Sequence, residues 1–186
     1  MCRTIFLLFI LFVINTCLVA QISIDFYPKM LQKELNSVNE TKIEEIIAPP
    51  NIRRQILLGK FYSVTNNPKP LEIKYIYIGR VKTCRSGGCS ITSNQSNNTE
   101  SEFFDYFILY DSACTIQKVK IYNYQATHGQ EVTAKSWLKQ FLGYSGSEEL
   151  TAGKNVDAIS GATISVDAAT FDIEHKTGLL RQTVNK

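Results

Sequence analysis

The chain has 186 residues, of which 44% are hydrophobic and 20% are charged; this composition suits one compact domain with a core and excludes a largely disordered protein. Its formal net charge is only +3, and its lysines and arginines are scattered, so no nucleic-acid-binding surface is expected. The sequence contains no internal repeat and no long low-complexity segment.

Residues 1–20 have the layout of a secretory signal peptide. Arg3 gives a positively charged start, residues 5–14 form an unbroken apolar run, and Ala20 supplies a small residue at the end of the segment. The apolar run is too short to span a bilayer comfortably. We therefore predict an exported protein, cleaved close to Ala20 and located in the periplasm or at the outer face of the membrane. An uncleaved anchor and lipid attachment at Cys17 are the alternatives.

The following segments predict helices and then a strand. Residues 28–48 place apolar side chains among charges at helical spacing, which predicts one or two amphipathic helices ended by Pro49-Pro50. Residues 66–70, rich in asparagine and proline, predict a loop. Residues 73–81 alternate branched or aromatic side chains with polar ones, which predicts a strand.

Three cysteines follow the leader segment: Cys84, Cys89 and Cys114. The first two are separated by Arg-Ser-Gly-Gly, a flexible loop that can bring their sulfur atoms together, and export would place them in an oxidising compartment. We predict a structural disulfide between Cys84 and Cys89, with Cys114 either buried and free or paired with one of them. A zinc site is not expected, because it would need a second pair of ligands and the chain has only two histidines.

The remaining elements predict a hairpin followed by a helix. Residues 90–101 are polar and predict a loop, whereas residues 103–110 and 116–124 predict two strands joined by a short turn, which is typical of an antiparallel hairpin. Apolar residues within 134–142 follow the spacing of a helix with one buried face, and Gly143 is placed to end it. Strands followed by helices predict an α+β fold, an antiparallel sheet with packed helices in a single domain.

The stretch DAISGATIS, residues 157–165, precedes a last predicted helix. Ser165 suits the N-cap of this helix, and its buried face would carry Val166, Ala169, Thr170 and Ile173. Thr163 would then lie two residues before the helix, on a turn that Gly161 and Ala162 leave open to another molecule. Since a helix N-terminus offers unpaired N–H groups and a partial positive charge, this turn suits a phosphate.

The order Asp157-Ala158-Ile159-Ser160-Gly161-Ala162-Thr163 resembles the D-x-x-(S/T)-G-A-T flavinylation motif of the FMN-binding domain family. This family includes the C subunit of the sodium-pumping NADH:quinone oxidoreductase and the G subunit of the Rnf complex. Upstream, YQATHGQE and the W-x-x-Q-F-x-G helix are also similar to the family, so the resemblance covers roughly residues 103–175. Thr127-His128-Gly129 stands where Rnf-type members have E-T-P-G. The first half of the mature chain resembles no family pattern.

The resemblance implies that a flavin transferase joins the phosphate of FMN to Thr163 through a phosphoester bond. It assigns Asp157, Ser160, Gly161, Ala162 and Ser165 to the surroundings of the attachment point, together with Thr127 and His128 on the upstream loop. His128 could equally face solvent, and the two serines could simply cap the turn and the helix. We expect no catalytic residue and no metal ligand among them. Residues 21–100 would form the N-terminal helical and strand part of the domain, and residues 101–186 the FMN-binding part.

These features predict an exported flavoprotein that carries electrons between a membrane or periplasmic donor and an unidentified acceptor. Its partners would be the flavin transferase and redox partner proteins or a membrane electron-transfer complex. A self-sufficient reductase is less expected, since the sequence has no nicotinamide-binding G-x-G-x-x-G fingerprint. The alternative is a secreted binding or scaffold domain without a functional flavin.

Overall fold

The computed structural model describes residues 23–35, 41–65, 73–85 and 101–184, although it leaves out the side chains of residues 84, 85 and 101. The helices of the described residues are α1 (Lys29–Leu35), α2 (Pro50–Arg53), α3 (Lys135–Leu138) and α4 (Thr163–Val184), with 3₁₀ turns at Gln130–Thr133 and Lys139–Phe141. The strands are β1 (Lys42–Glu45), β2 (Gly59–Thr65), β3 (Tyr75–Arg85), β4 (Ser101–Tyr110) and β5 (Ile116–Tyr124).

Several predicted features lie outside the described residues. These are the signal peptide, the loop at 66–70, most of the loop at 90–101, and Cys89 together with the side chain of Cys84. The Cys84–Cys89 disulfide therefore stays a prediction. Cys114 is buried and free, which is one of the two alternatives left open for it.

The five strands form one antiparallel sheet in the sequential order β1-β2-β3-β4-β5. The strands predicted at 73–81, 103–110 and 116–124 are β3, β4 and β5, and the last two form the predicted hairpin. Both halves of the chain contribute strands to this sheet, and helices lie against it. The predicted α+β class is therefore confirmed.

Both faces of the sheet pack against apolar side chains, and β4 contributes apolar residues to both. Its residues Phe104, Tyr106, Ile108 and Tyr110 join the main core, to which α4 contributes Val166, Ala169, Ile173 and Leu180. Its residues Phe107 and Leu109 join a second core with Leu31 and Leu35 of α1. This arrangement makes α4 the long helix that packs across one face of the sheet.

The helices predicted over residues 28–48 are only partly correct. The helix α1 is described over Lys29–Leu35, whereas Ile43 lies in β1 and pairs with Val64 of β2, a strand that the sequence did not predict. So few apolar residues fit the helical repeat of about 3.6 residues as well as the strand repeat of two. Backbone pairing with β2 makes this segment a strand. Pro50 does not end a helix but begins α2, where its missing N–H costs nothing.

Two helix boundaries also differ from the prediction. Over residues 134–142 a short α-helix is followed by a 3₁₀ turn, and Leu142, predicted on the buried face, is exposed. Gly143 has the left-handed φ of 83° expected at the end of a helix. The helix α4 begins at Thr163 rather than after Ser165, because the Ala162 carbonyl already accepts the Val166 N–H at 2.9 Å. None of the helices in the described residues is both long and apolar enough to cross a membrane.

Candidate functional site

Residues 157–161 of the motif form an arch in front of α4, exposed except for Ile159, which is partly buried against the main core. Its two ends are fixed in the core, since Val156 on one side and Ala162 on the other are 2% and 3% exposed. Within the arch Gly161 has a φ of 80°, a left-handed conformation that favours glycine over other residues. Thr163 follows as the first residue of the helix with its side chain exposed. A second molecule can therefore approach the hydroxyl of Thr163 from solvent.

The short helix α3 and its 3₁₀ turn hold the start of the arch. The indole Nε1–H of Trp137 donates to the Asp157 carbonyl at 2.8 Å, and the Asp157 N–H donates to Oε1 of Gln140 at 2.7 Å. The side chain of Asp157 itself is exposed. Trp137, predicted as a core residue, is indeed buried, but its polar edge also fixes the backbone of the motif.

The loop after β5 packs against the first turn of α4. The Tyr124 hydroxyl donates to the His128 carbonyl at 2.5 Å and lies 2.8 Å from Oγ of Ser165. Because the Tyr124 hydroxyl uses its hydrogen for His128, Ser165 is the donor in the second bond. Burial raises the pKa of Tyr124, partly offset by the hydrogen bond with Ser165, so the hydroxyl stays protonated at neutral pH. Gly129 has a φ of 83° at this contact.

The loop side chains themselves face outward. Thr127 donates from its N–H and its hydroxyl to Oε1 of Glu102, at 3.2 and 2.5 Å, and both Thr127 and His128 are exposed. Ser165 is 3% exposed, with its hydroxyl bound to Tyr124 rather than capping the helix as predicted. The loop therefore offers Thr127 and His128 to a ligand beside the start of α4.

A groove with a cavity volume of about 520 Å³ runs along the flank of α4. Its rim carries the exposed apolar side chains of Leu57 and Phe171, which are 82% and 67% accessible. Its floor contains Asp172, which accepts from the buried Tyr106 hydroxyl at 2.6 Å and pairs with Lys176 at 3.2 Å. Thr163, Thr127 and His128 are not among the residues that line this groove.

An α+β domain that presents an exposed threonine at the start of a long helix, beside a glycine-containing loop, is the type of module that holds a phosphate-bearing cofactor. The model of the FMN-binding domain family matches residues 103–171, a segment that runs from β4 through the arch into α4. The match confirms the resemblance of this segment to that family, and it supports FMN as the ligand of this part of the chain. Comparison with the curated proteins and with the solved structures finds no match.

The structure brings most of the predicted site residues together. Asp157, Ser160 and Gly161 lie in the exposed arch, followed by Ala162 and Thr163, and the loop with Thr127 and His128 packs at the same helix start. The resemblance already included Tyr124, in YQATHGQE, and Gln140, in W-x-x-Q-F-x-G, but gave neither a role in holding the motif. Glu102 was not predicted in this region, and no sequence signal marked it.

Proposed function

We propose that this protein is an exported flavoprotein that carries FMN in a phosphoester bond to Thr163 and passes electrons between a membrane or periplasmic donor and a separate acceptor. The observation that carries the proposal is the exposed Thr163 hydroxyl, at the end of a complete D-x-x-S-G-A-T motif, within a segment that matches the FMN-binding domain family. The cofactor supplies the redox chemistry; the protein binds and orients it.

The position of Thr163 suits the attachment chemistry. We take the donor used by the transferase to be a flavin dinucleotide: Oγ of Thr163 loses its proton and attacks the flavin-side phosphorus, the P–O bond of the diphosphate breaks, and the nucleoside monophosphate leaves and takes up the proton. The FMN phosphate, now a phosphodiester, keeps one negative charge. That charge lies at the N-terminus of a 22-residue helix, where the helix dipole stabilises an anion by about 0.3–1 kcal/mol at an exposed site. We assign the activation of this hydroxyl to a flavin transferase.

The neighbouring residues support the same assignment. Asp157 is exposed on the arch, which suits recognition by the transferase. Ser160 and the exposed Thr127 and His128 surround the helix start and are the proposed contacts of bound FMN, with Ser165 placed behind them to hold the loop. Gly161 and Ala162 shape the turn.

Covalent attachment also suits the proposed location. Outside the cytoplasm a dissociated FMN would not be replaced, and a phosphoester bond removes dissociation altogether. The partners would then be the transferase during maturation and redox proteins, or a membrane electron-transfer complex, afterwards. The competing proposal, a secreted scaffold without flavin, predicts a colourless protein. A yellow protein whose flavin survives acid precipitation would reject it.

The decisive experiment is intact-mass and peptide analysis of the chain co-expressed with a flavin transferase. We expect one FMN on the peptide that contains Thr163, none on the T163A variant, and partial or full loading of T163S. The S112A variant is the matched control, because it removes an exposed hydroxyl that lies outside the motif. Flavin on another residue, or loading of T163A, would contradict the proposal, as would loss of loading in S112A to the same extent as in T163A.

A further inference from the structure

The geometry points to Trp137 and Gln140 as positioning residues for flavin attachment. We name this pair the Asp157 clamp, and we propose that it holds the arch in the conformation that a flavin transferase binds. The inference rests on the proposed attachment at Thr163. Both residues bond to the backbone of Asp157, six residues before Thr163, so each acts through the backbone of the motif.

The clamp occupies both backbone polar groups of Asp157. Trp137 donates to the carbonyl at 2.8 Å and Gln140 accepts from the N–H at 2.7 Å, and the two residues lie one helical turn apart on the same face. The peptide groups on either side of Asp157 are thereby oriented, while the residue itself is exposed to solvent. The arch thus leaves the buried Val156 in a defined direction and returns to the buried Ala162.

Packing alone does not account for the two residue types. Trp137 packs edge-to-face on Phe141, with ring centroids 5.2 Å apart, and a phenylalanine could make a similar contact without an N–H group. The Nε2 atom of Gln140 is buried and has no hydrogen-bond partner among the described residues. An unsatisfied buried donor destabilises a fold, and a methionine of similar shape would avoid it. What glutamine adds at this position is the acceptor oxygen for Asp157.

A preformed arch lowers the cost of binding to the transferase. If the arch were loose, the enzyme would have to order its residues, and the lost conformational entropy would weaken binding of the protein substrate. Once bound, the Thr163 hydroxyl would react as before. Loss of one clamp hydrogen bond should therefore raise KM of the transferase for this protein several-fold, up to roughly tenfold, with little change in kcat.

The test uses the full chain, purified without flavin, as the substrate of a flavin transferase. The variants Q140M and W137F each remove one clamp bond and keep an apolar group of similar shape. The variant Y144F is the matched control, because the Tyr144 hydroxyl also donates to a backbone carbonyl, that of Glu148, at 2.8 Å but does not touch the arch. Thermal unfolding shows whether each variant is folded, and amide hydrogen exchange of unloaded protein measures the arch without any attachment reaction.

We expect faster exchange of the Asp157 amide in Q140M than in the wild type, and a raised KM in both clamp variants, with Y144F unchanged in both measurements. Unchanged exchange at Asp157 in Q140M would overturn the inference, and so would an equal rise of KM in Y144F. If the wild-type chain is not modified at Thr163 at all, the proposed function fails instead. The exchange measurement separates these two failures, because it needs no flavin.

Discussion

Substitution of Gly129 by alanine tests how closely the loop after β5 approaches α4. A Cβ atom at Gly129 would lie 2.7 Å from Oγ and 3.0 Å from Cβ of Ser165, and 3.1 Å from the Tyr124 hydroxyl oxygen. These distances are shorter than van der Waals contact, and the φ of 83° is itself unfavourable for alanine. The alanine must therefore move the loop away from the first turn of the helix.

Two costs contribute to the expected loss of stability. The left-handed backbone costs an alanine about 1 kcal/mol, and crowding at a packed contact costs about 1–3 kcal/mol. We expect Gly129→Ala to lower the free energy of unfolding by about 2–4 kcal/mol. For a chain of this size each kcal/mol lowers Tm by roughly 3 °C, so Tm should fall by roughly 6–12 °C.

Gly161→Ala provides the matched control. Gly161 has nearly the same φ, 80°, but a Cβ atom there would meet no other atom within 4 Å. Only the backbone cost applies, about 1 kcal/mol or roughly 3 °C in Tm. Chemical denaturation and thermal melts monitored by circular dichroism measure both variants. Adding Ser165→Ala to Gly129→Ala should return part of the loss, because the closest contact atom is removed.

Equal destabilisation by Gly129→Ala and Gly161→Ala would refute this reasoning, since crowding against Ser165 is the only difference claimed between them. A double variant that is less stable than the sum of its single changes would refute it as well. Either result would mean that the loop does not rest on the helix as the structure has it.

Two further predictions concern charged groups. Arg80→Met should lower the free energy of unfolding, measured by urea denaturation, by about 3–5 kcal/mol, because it removes an ion-pair partner of Asp105, which is 1% exposed. The control Lys60→Met breaks an exposed ion pair and should cost less than about 1 kcal/mol. Equal losses in the two variants would contradict the buried pairing. Burial and the charge of Lys176 lower the pKa of His175 from 6.5, so the unfolded chain binds this proton more readily and stability should fall as pH drops below about 6.5. Thermal melts between pH 5 and 7.5 should show a flatter dependence for His175→Gln, and an unchanged slope would contradict the assignment.

Local sequence patterns were sufficient to predict the strands whose own side chains are buried in the core. Alternation predicted β3, and the length of two segments with a short turn between them predicted β4 and β5; these strands contribute to the two cores of the domain. The short strand β1 could not be predicted, because its four residues are mostly exposed and it exists through pairing with β2. The start of α4 was placed late because Ser165, a good N-cap residue, is instead bound to Tyr124.

The sequence by itself determined the attachment motif, since residues 157–163 are contiguous and their order carries the resemblance and the turn. It could not determine what surrounds the motif. The contacts of Asp157 with Trp137 and Gln140, and of Gly129 with Ser165, join segments that are distant along the chain. Such contacts depend on how the sheet and α4 pack, and pattern analysis of neighbouring residues contains no information on that packing. Only the tertiary structure therefore decided which side chains hold residues 157–163 in shape.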